Sequence, residues 1–376
     1  MKGGRAVRVA WDARVMLAPD LRGMGQYSLH LLHALLRVAP ELEFYLFHDH
    51  AAPARVPAGT VCRRARPTRG YRWQIWERVS LPLASIASRA SLLHSPANTT
   101  PPRSAMPRVV TVHDVIPFLP GIGDPPPLPY FRDVVPRAVA TADAILTDSL
   151  CSKRDICRVF GIAADRVRVV PLAPGPDVAR PEAAQREARL ARLGVTRPYV
   201  LALGAPARRK NTAGVLKAFA RVHASAGDCR LVLSGVPLSY RDAVRNLAAA
   251  EGLGPDCVRM FGFVPQEELW SLYAGCAAFL FLSLYEGFGL PILEAMTCGA
   301  PVVCSNRASC PEVAGDAAIV VDPEDPEMCR DAVLSLLDSA EEADRRRAAG
   351  VARAAAFSWT ATANETYRVY RELAGA

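Results

Sequence analysis

Nowhere does the chain hold an uninterrupted run of about 18 apolar residues, the length that crosses a bilayer, so no membrane-spanning helix is expected. Met1 to Arg14 carries charge and no long apolar stretch, so no signal peptide is expected either. The ten cysteines include no Cys-x-x-Cys pair. Cys151 and Cys157, and again Cys304 and Cys310, are six apart, a spacing that fits no zinc pattern. Cys276, Cys298 and Cys304 sit among Ala, Val and Gly as ordinary small core residues do. A reducing, cytoplasmic location is therefore expected rather than a disulfide-stapled exterior. There is also no Asp-x-Asp dyad to hold a divalent ion against a diphosphate; Asp322 and Asp325 are spaced too widely. No metal site and no cofactor are expected. The formal net charge of +8 comes without a zinc-finger or RNA-binding signature. It points to an anionic small substrate or a membrane surface, and a nucleic-acid partner is not expected.

What is present is a chain of 376 residues, 51% hydrophobic and 22% charged, long enough for two α/β cores. Short apolar runs alternate with helical stretches. Strands are expected at Val7–Trp11, Phe44–Phe47, Leu92–His94, Val109–Val112, Ala144–Thr147 and Val167–Val170, with a helix over Gln26–Val38 whose Leu29, Leu32 and Leu36 share a face. Residues 171–196 break the pattern with Pro171, Pro174, Gly175, Pro176 and Pro181. The alternation restarts at Tyr199–Leu203 and continues through Leu231–Ser234, Val258–Phe261, Ala278–Leu282, Val302–Cys304 and Ala318–Val321. Unalternating strands between helices mean parallel sheets covered on both faces. The expected architecture is thus two tandem Rossmann-like domains: residues 1–175, a linker at 176–196, residues 197–356, and a C-terminal helix at 357–376 that returns to the first domain. Two Pro-rich stretches, 96–107 and 117–129, read either as functional loops such as a lid or as plain irregular connections.

The segment from Ser283 to Met296 carries the strongest chemical signal. The strand Ala278–Leu282 leads into a glycine-containing turn, and Pro291 suits the start of a helix. The free amides of Gly287, Phe288, Gly289 and Leu290 at a helix N-terminus form an anion site suited to a diphosphate. Glu286 precedes the turn. Glu294 lies among Ile292, Leu293, Ala295 and Met296, where a carboxylate needs hydrogen-bond donors such as ribose hydroxyls; a solvated helix residue is the alternative. Gly23 and Gly25 after the first strand read as a close approach to phosphate or as an ordinary tight turn. The basic run Arg208, Arg209, Lys210 reads as phosphate-neutralising or as an exposed charge cluster. His113 ends a strand at the carboxyl edge, where open α/β sheets bind ligands. Asp114 orients its loop or caps it. Arg63 to Arg78 mixes six arginines with Tyr71, Trp73, Ile75 and Trp76, and reads as a peripheral membrane contact or as a helix packed on the first domain.

Glu286 and Glu294, eight apart around Gly-Phe-Gly-Leu-Pro, resemble the E-x7-E motif of family 4 retaining glycosyltransferases. Arg22 to Tyr27 resembles that family's first glycine loop, and Val112 to Pro117 its His-Asp-hydrophobic-Ile-Pro segment. Thr147 to Lys153, Gly262 to Pro265 and Pro311 to Asp316 are similar to further family stretches. The resemblance implies a GT-B fold with the active site in an interdomain cleft. It implies that Glu294 holds the donor ribose, Glu286 the sugar hydroxyls, and the amides of Gly287 to Leu290 with Lys210 the diphosphate, with His113 at the donor sugar. Ala205, Pro206 and Ala207 stand where the family often has an arginine, so Arg208 or Arg209 takes that place. The activity implied is metal-independent, retaining transfer of a hexose, first mannose from GDP-mannose, to a glycan or lipid-linked acceptor in surface polysaccharide or glycolipid synthesis. A rhamnosyl or UDP-hexose donor is the alternative. An epimerase on the same fold and a non-catalytic sugar-nucleotide-binding subunit are the competing classes.

Overall fold

The computed structural model describes residues 7–21, 23–50, 53, 55–65, 72–122 and 129–375. The chain forms two compact units, Met1–Phe118 with Pro125–Leu172 and Ser358–Ala376, and Leu119–Asp124 with Ala173–Phe357.

The first unit is built on seven parallel strands: β1 (Arg8–Asp12), β2 (Glu43–His48), β3 (Val61–Arg64), β4 (Leu92–Ser95), β5 (Arg108–Thr111), β6 (Ala144–Thr147) and β7 (Val167–Val169). Their order is β3-β2-β1-β4-β5-β6-β7. The central strands are buried on both faces, which is why they read as continuous apolar runs. Trp11 anchors the core, its ring edge-on to Phe44 and its indole N–H donating to Ser28 Oγ at 3.0 Å. The last helix, Trp359–Ala374, packs in this unit and buries Ala363, Val369 and Tyr370 in the same core.

The second unit carries β8 (Tyr199–Leu203), β9 (Arg230–Ser234), β10 (Val258–Met260), β11 (Ala278–Phe281), β12 (Val302–Ser305) and β13 (Ile319–Val321). All pair in parallel in the order β10-β9-β8-β11-β12-β13. Counted from β8 this is the Rossmann order 3-2-1-4-5-6. The stretch 176–196, expected as a linker, belongs to this unit. It carries the helix Ala183–Leu193, capped by Gly194 in the left-handed conformation at φ 63° and buried through Leu190.

Trp76 takes the second of its two expected places, packed on the first unit. It is fully buried, donates from Nε1 to Asp12 Oδ2 at 3.2 Å, and has the Arg14 guanidinium 4.9 Å above its ring. An aromatic residue so placed anchors the first core and cannot reach a bilayer. Arg66, Arg69 and Tyr71 lie outside the described residues, as do the side chains of Arg72 and Trp73. The expected position Arg22 also lies outside them.

The helix after β1 runs Gly23–Val38, three residues longer at its start than its apolar periodicity indicates. A Cβ on Gly25 would stand 2.5 Å from the Val15 carbonyl oxygen and 2.8 Å from Leu21 Cδ1, whereas one on Gly23 meets nothing within 4 Å. Backbone, rather than open space, fills the site that glycine leaves at position 25. Gly25→Ala is expected to cost about 1–3 kcal/mol of stability, as overpacking of a fitted site does. Gly23→Ala should leave it unchanged. Chemical denaturation of the two variants checks both.

Candidate functional site

In the second sheet the strand order reverses between β8 and β11, the place where open α/β sheets bind ligands beyond their carboxyl ends. Both strand exits carry candidate residues. The chain leaves β8 through Gly204 and makes a 3-10 turn at Arg208–Lys210 before the helix Thr212–Ser225. Asn211 joins them in a left-handed conformation, φ 53°, that suits asparagine better than most residues. Its Oδ1 accepts from the Gly214 amide at 3.2 Å, and its Nδ2 donates to the carbonyls of Leu282 and Pro323 at 3.1 Å each. The amide of Leu284, beyond β11, donates to the Arg209 carbonyl at 2.7 Å. The two exits are thereby tied into one surface.

Across that seam, Lys210 Nζ lies 2.6 Å from Glu286 Oε1 and Arg209 Nη1 2.9 Å from Oε2. Glu286 is buried, and a buried carboxylate persists as an anion only with such partners. Two cations meet one carboxylate, so the cluster keeps one net positive charge. Lys210 also stands 5.6 Å from the centre of the Phe281 ring. Arg208 is exposed and joins a different feature, a cavity of about 170 Å3 that it lines with Arg209, Leu284, Arg307 and Glu324.

The turn after Glu286 is held from beneath. The Ser309 hydroxyl lies 2.9 Å from the Glu286 carbonyl oxygen and 2.7 Å from that of Phe288, donating to this pair. Gly289 adopts φ 101°, which a side chain would strain, and the helix Leu290–Thr297 follows with Pro291 in its first turn. Gly287, Phe288 and Gly289 are buried, and the Phe288 ring packs 6.0 Å from Phe357. Phe288 therefore offers a ligand its backbone only. The amides of Phe288, Gly289 and Leu290 donate to no carbonyl among the described residues, so they remain available as helix N-terminal donors. Leu290, Pro291 and Glu294 are half-buried.

On this helix the Glu294 carboxyl makes no hydrogen bond among the described residues, while its backbone carbonyl accepts from the Cys298 amide at 3.1 Å. Burial, with the Asp177 charge added, raises its pKa to about 7.

In the first unit, His113 follows β5. Its Nδ1 lies 2.8 Å from Asp148 Oδ2 and its Nε2 3.2 Å from the Pro96 carbonyl oxygen. Both neighbours are acceptors, a set that favours the doubly protonated ring. Burial alone lowers its pKa, yet Asp148, by charge and hydrogen bond, and the Pro96 carbonyl raise it overall. The Tyr27 ring stands edge-on, 4.6 Å away. Asp114 caps its own loop, with Oδ1 accepting from the Ile116 amide at 3.0 Å.

The structure thus brings Arg209, Lys210 and Glu286 together, with Gly287 to Glu294 continuing from the same strand exit, and places His113, Gly23 and Gly25 in the first unit. Asn211, Ser309 and Asp148 support these positions and were missed in the sequence. Asp148 alone had a signal, since it lies inside the Thr147 to Lys153 stretch. At Glu294 the folded protein binds a proton between about pH 4.5 and 7 that the unfolded chain has released, so stability falls as pH rises through that window. Glu294→Gln should remove that loss. Denaturation at pH 4 and pH 8 is expected to show the variant gaining roughly 1–3 kcal/mol on wild type at pH 8 relative to pH 4.

Residues 21–173 match the family described as Glycosyltransferase Family 4, and residues 186–353 the family described as Glycosyl transferases group 1. The chain is 32% identical over 377 residues to O-antigen chain mannosyltransferase B of Escherichia coli, covering 94% of this chain and 97% of that one. It is 32% identical over 266 residues to the serotype-specific mannosyltransferase WbdA of Escherichia coli, covering 68% of this chain and about a third (32%) of that longer protein. Among solved structures, sucrose-phosphate synthase from Thermosynechococcus elongatus superposes with a TM-score of 0.77 at 20% identity, covering 98% of this chain and 99% of that one. Anabaena HepE, solved with UDP and glucose, gives 0.72 at 16% identity, covering 98% and 100%. These structures share the fold, two Rossmann-like domains of the GT-B type. The chain is a glycosyltransferase and belongs to family 4.

Proposed function

We propose that the protein transfers mannose from GDP-mannose to a hydroxyl of a glycan or lipid-linked acceptor in surface polysaccharide synthesis, with retention at the anomeric carbon and without a metal ion. The observation that carries this reading is the cationic pair on Glu286 at the β8/β11 divergence, next to the amide-rich start of the helix Leu290–Thr297. The mannosyl assignment draws on the mannosyltransferase that this chain matches along nearly its whole length. A rhamnosyl or UDP-hexose donor is the alternative, the latter because HepE was solved with UDP and glucose.

In this reading Lys210, Arg209 and the amides of Phe288, Gly289 and Leu290 take the diphosphate, with Gly287 permitting close approach. Arg208 lies beside them. Glu286 accepts from sugar hydroxyls, and Glu294 accepts from the ribose. His113 stands at the sugar, and Gly23 and Gly25 shape the start of the helix Gly23–Val38. As the sugar–phosphate bond breaks, negative charge grows on the diphosphate, and pre-placed cations and amides stabilise it more than the ground state. The acceptor oxygen bonds to the anomeric carbon on the face the phosphate leaves, and a departing phosphate oxygen takes the acceptor proton. Lys210 and Arg209 supply the charge that a metal ion supplies elsewhere.

Lys210→Ala is expected to lower kcat by about 10²–10³-fold, the range for loss of one transition-state donor. Turnover at the wild-type rate would remove Lys210 from the site. Activity abolished by chelator and restored by magnesium would overturn metal independence, and the anomeric configuration of the product, read by NMR, tests retention. Ribose hydroxyls that donate to Glu294 favour its ionised form, so donor binding near pH 7 should release a proton. Titration calorimetry in two buffers of different ionisation enthalpy shows this as a buffer-dependent heat, absent in Glu294→Gln.

The same reading includes peripheral contact with an anionic membrane that carries the acceptor. No helix among the described residues is long and apolar enough to cross a membrane. Val79, Leu83 and Ile86, at helical spacing along residues 76–87, are instead exposed by 43%, 62% and 49%. Exposed Arg78 and Arg89 flank them, and exposed Arg63 of β3 lines one cavity with Arg89. Apolar residues bordered by arginine suit an anionic interface. Flotation with vesicles of phosphatidylglycerol and phosphatidylcholine is expected to carry wild type, and to lose Leu83→Ser/Ile86→Ser. Equal flotation with neutral vesicles would count against the contact.

A further inference from the structure

At the outer edge of the second sheet, beside β9 and β10, lies a cavity of about 640 Å3 that shares no lining residue with the Lys210–Glu286 cluster. Its volume is that of a small-molecule site. The floor is apolar: Val232, Val244, Leu253 and Val258 are buried, and Phe261 joins them. The rim is cationic, with Arg230, Arg241, Arg245 and Arg259.

The state of those four charges matters. Arg245 is paired with Asp242. Arg230 and Arg259 donate only to backbone carbonyls, Gly227 at 2.9 Å and Leu193 at 2.8 Å among them. Arg241 is half-buried, and its Nε is buried without a hydrogen-bond partner. Three guanidinium groups therefore line the cavity with no carboxylate in bonding distance among the described residues. Asp256, the one acidic residue in the lining, makes no ion pair with them among the described residues. A buried donor left unmade costs free energy, and the fold carries that cost at Arg241. Guanidinium forks match a phosphate through two parallel hydrogen bonds. An apolar floor under such a rim selects a ligand with an apolar body and an anionic head.

We infer that this cavity is a second ligand site that binds a phosphate monoester of an apolar alcohol, its phosphate on Arg241 and its neighbours and its apolar part against Val258 and Phe261. The inference does not rest on the donor reading above. Nothing in it requires the diphosphate cluster, and its ligand needs neither a base nor a sugar.

The probe is 1-naphthyl phosphate, titrated by calorimetry into the full chain. Saturable binding is expected. Arg241→Gln should weaken it by about tenfold or more, as loss of a charge-assisted hydrogen bond does. Lys210→Ala should bind the probe as wild type does, even where its transferase activity is lost. 1-Naphthol, which lacks the phosphate, should bind at least tenfold more weakly. A thermal melt of each variant confirms that it is folded, and Arg259→Gln gives a second surface variant should Arg241→Gln fail to fold. No saturable binding to wild type at millimolar probe, wild-type affinity in the folded arginine variant, or loss of binding in Lys210→Ala would overturn the inference. The last outcome would place the probe in the diphosphate cluster instead.

Discussion

The second unit turns on one buried carboxylate held by two cations. Glu286 sits where β11 ends, and Arg209 and Lys210 sit where β8 ends, so their ion pairs bridge the two strands between which the sheet order reverses. Removing either strand exit would leave a charge without its counterpart in a place that water reaches poorly, and an uncompensated buried charge is far costlier than an exposed one. The backbone hydrogen bond from Leu284 to Arg209 and the Asn211 side chain on Leu282 hold the same seam without charge. The cations are therefore not merely near the turn at Gly287–Gly289; their positions are fixed relative to it. That is preorganisation: donors aimed before any ligand arrives need no reorganisation when charge develops.

The first unit reaches a comparable rigidity by a neutral route. Tyr370 on the last helix hydrogen-bonds His94 Nδ1 at 2.5 Å, His94 Nε2 meets Thr111 Oγ1 at 2.9 Å, and Thr111 meets the Tyr27 hydroxyl at 3.1 Å. Burial, with the His113 charge added, lowers the His94 pKa to about 3, so His94 is neutral and donates from one nitrogen while accepting at the other. The chain of bonds fixes the Tyr27 hydroxyl, and its ring stands against His113. The pKa values of two histidines of one core are thus moved in opposite directions, because one has Asp148 beside it and the other only hydroxyls. It also explains what the final helix contributes: Tyr370 ends the chain, so the last segment of sequence completes the surroundings of a residue more than two hundred positions earlier.

Much of this was legible in the sequence wherever burial on both faces leaves an apolar run. β6 and β8 match their expected ranges residue for residue, and most other strands differ by a residue at an end. β3 was not visible, because Val61–Arg64 is an edge strand whose Val-Cys-Arg-Arg needs no apolar pattern when one side meets solvent. The same region left two places open for Trp76. Aromatic and basic residues in alternation describe an interfacial helix and a core helix equally well, and only the Asp12–Arg14 pair, brought in from β1, decides for the core. At the site, residue types and spacing gave Glu286, Glu294 and the basic run. They could not give Ser309 or Asn211, whose function is to hold backbone carbonyls that are close only once the fold has formed. Gly25 shows a further limit: glycine marks a close approach in sequence, but here the approaching group is the Val15 carbonyl.

The two glutamates of the motif make the same point in electrostatic terms. They are the same residue type, eight positions apart, on one strand exit and the helix that follows it. Glu286 faces a lysine and an arginine and accepts a hydrogen bond from each. Glu294 faces apolar neighbours and the distant charge of Asp177, and its carboxyl is pushed up to about 7. In the proposed reading, the hydroxyl donors of a ligand meet two different acceptors. At Glu286 they compete with cations already in place, so binding there redistributes existing bonds. At Glu294 they supply the first hydrogen bonds the carboxylate receives and relieve its desolvation, so binding there is rewarded in proportion to how poorly the empty site is solvated. Spacing alone does not tell the two carboxyls apart; their unequal surroundings do.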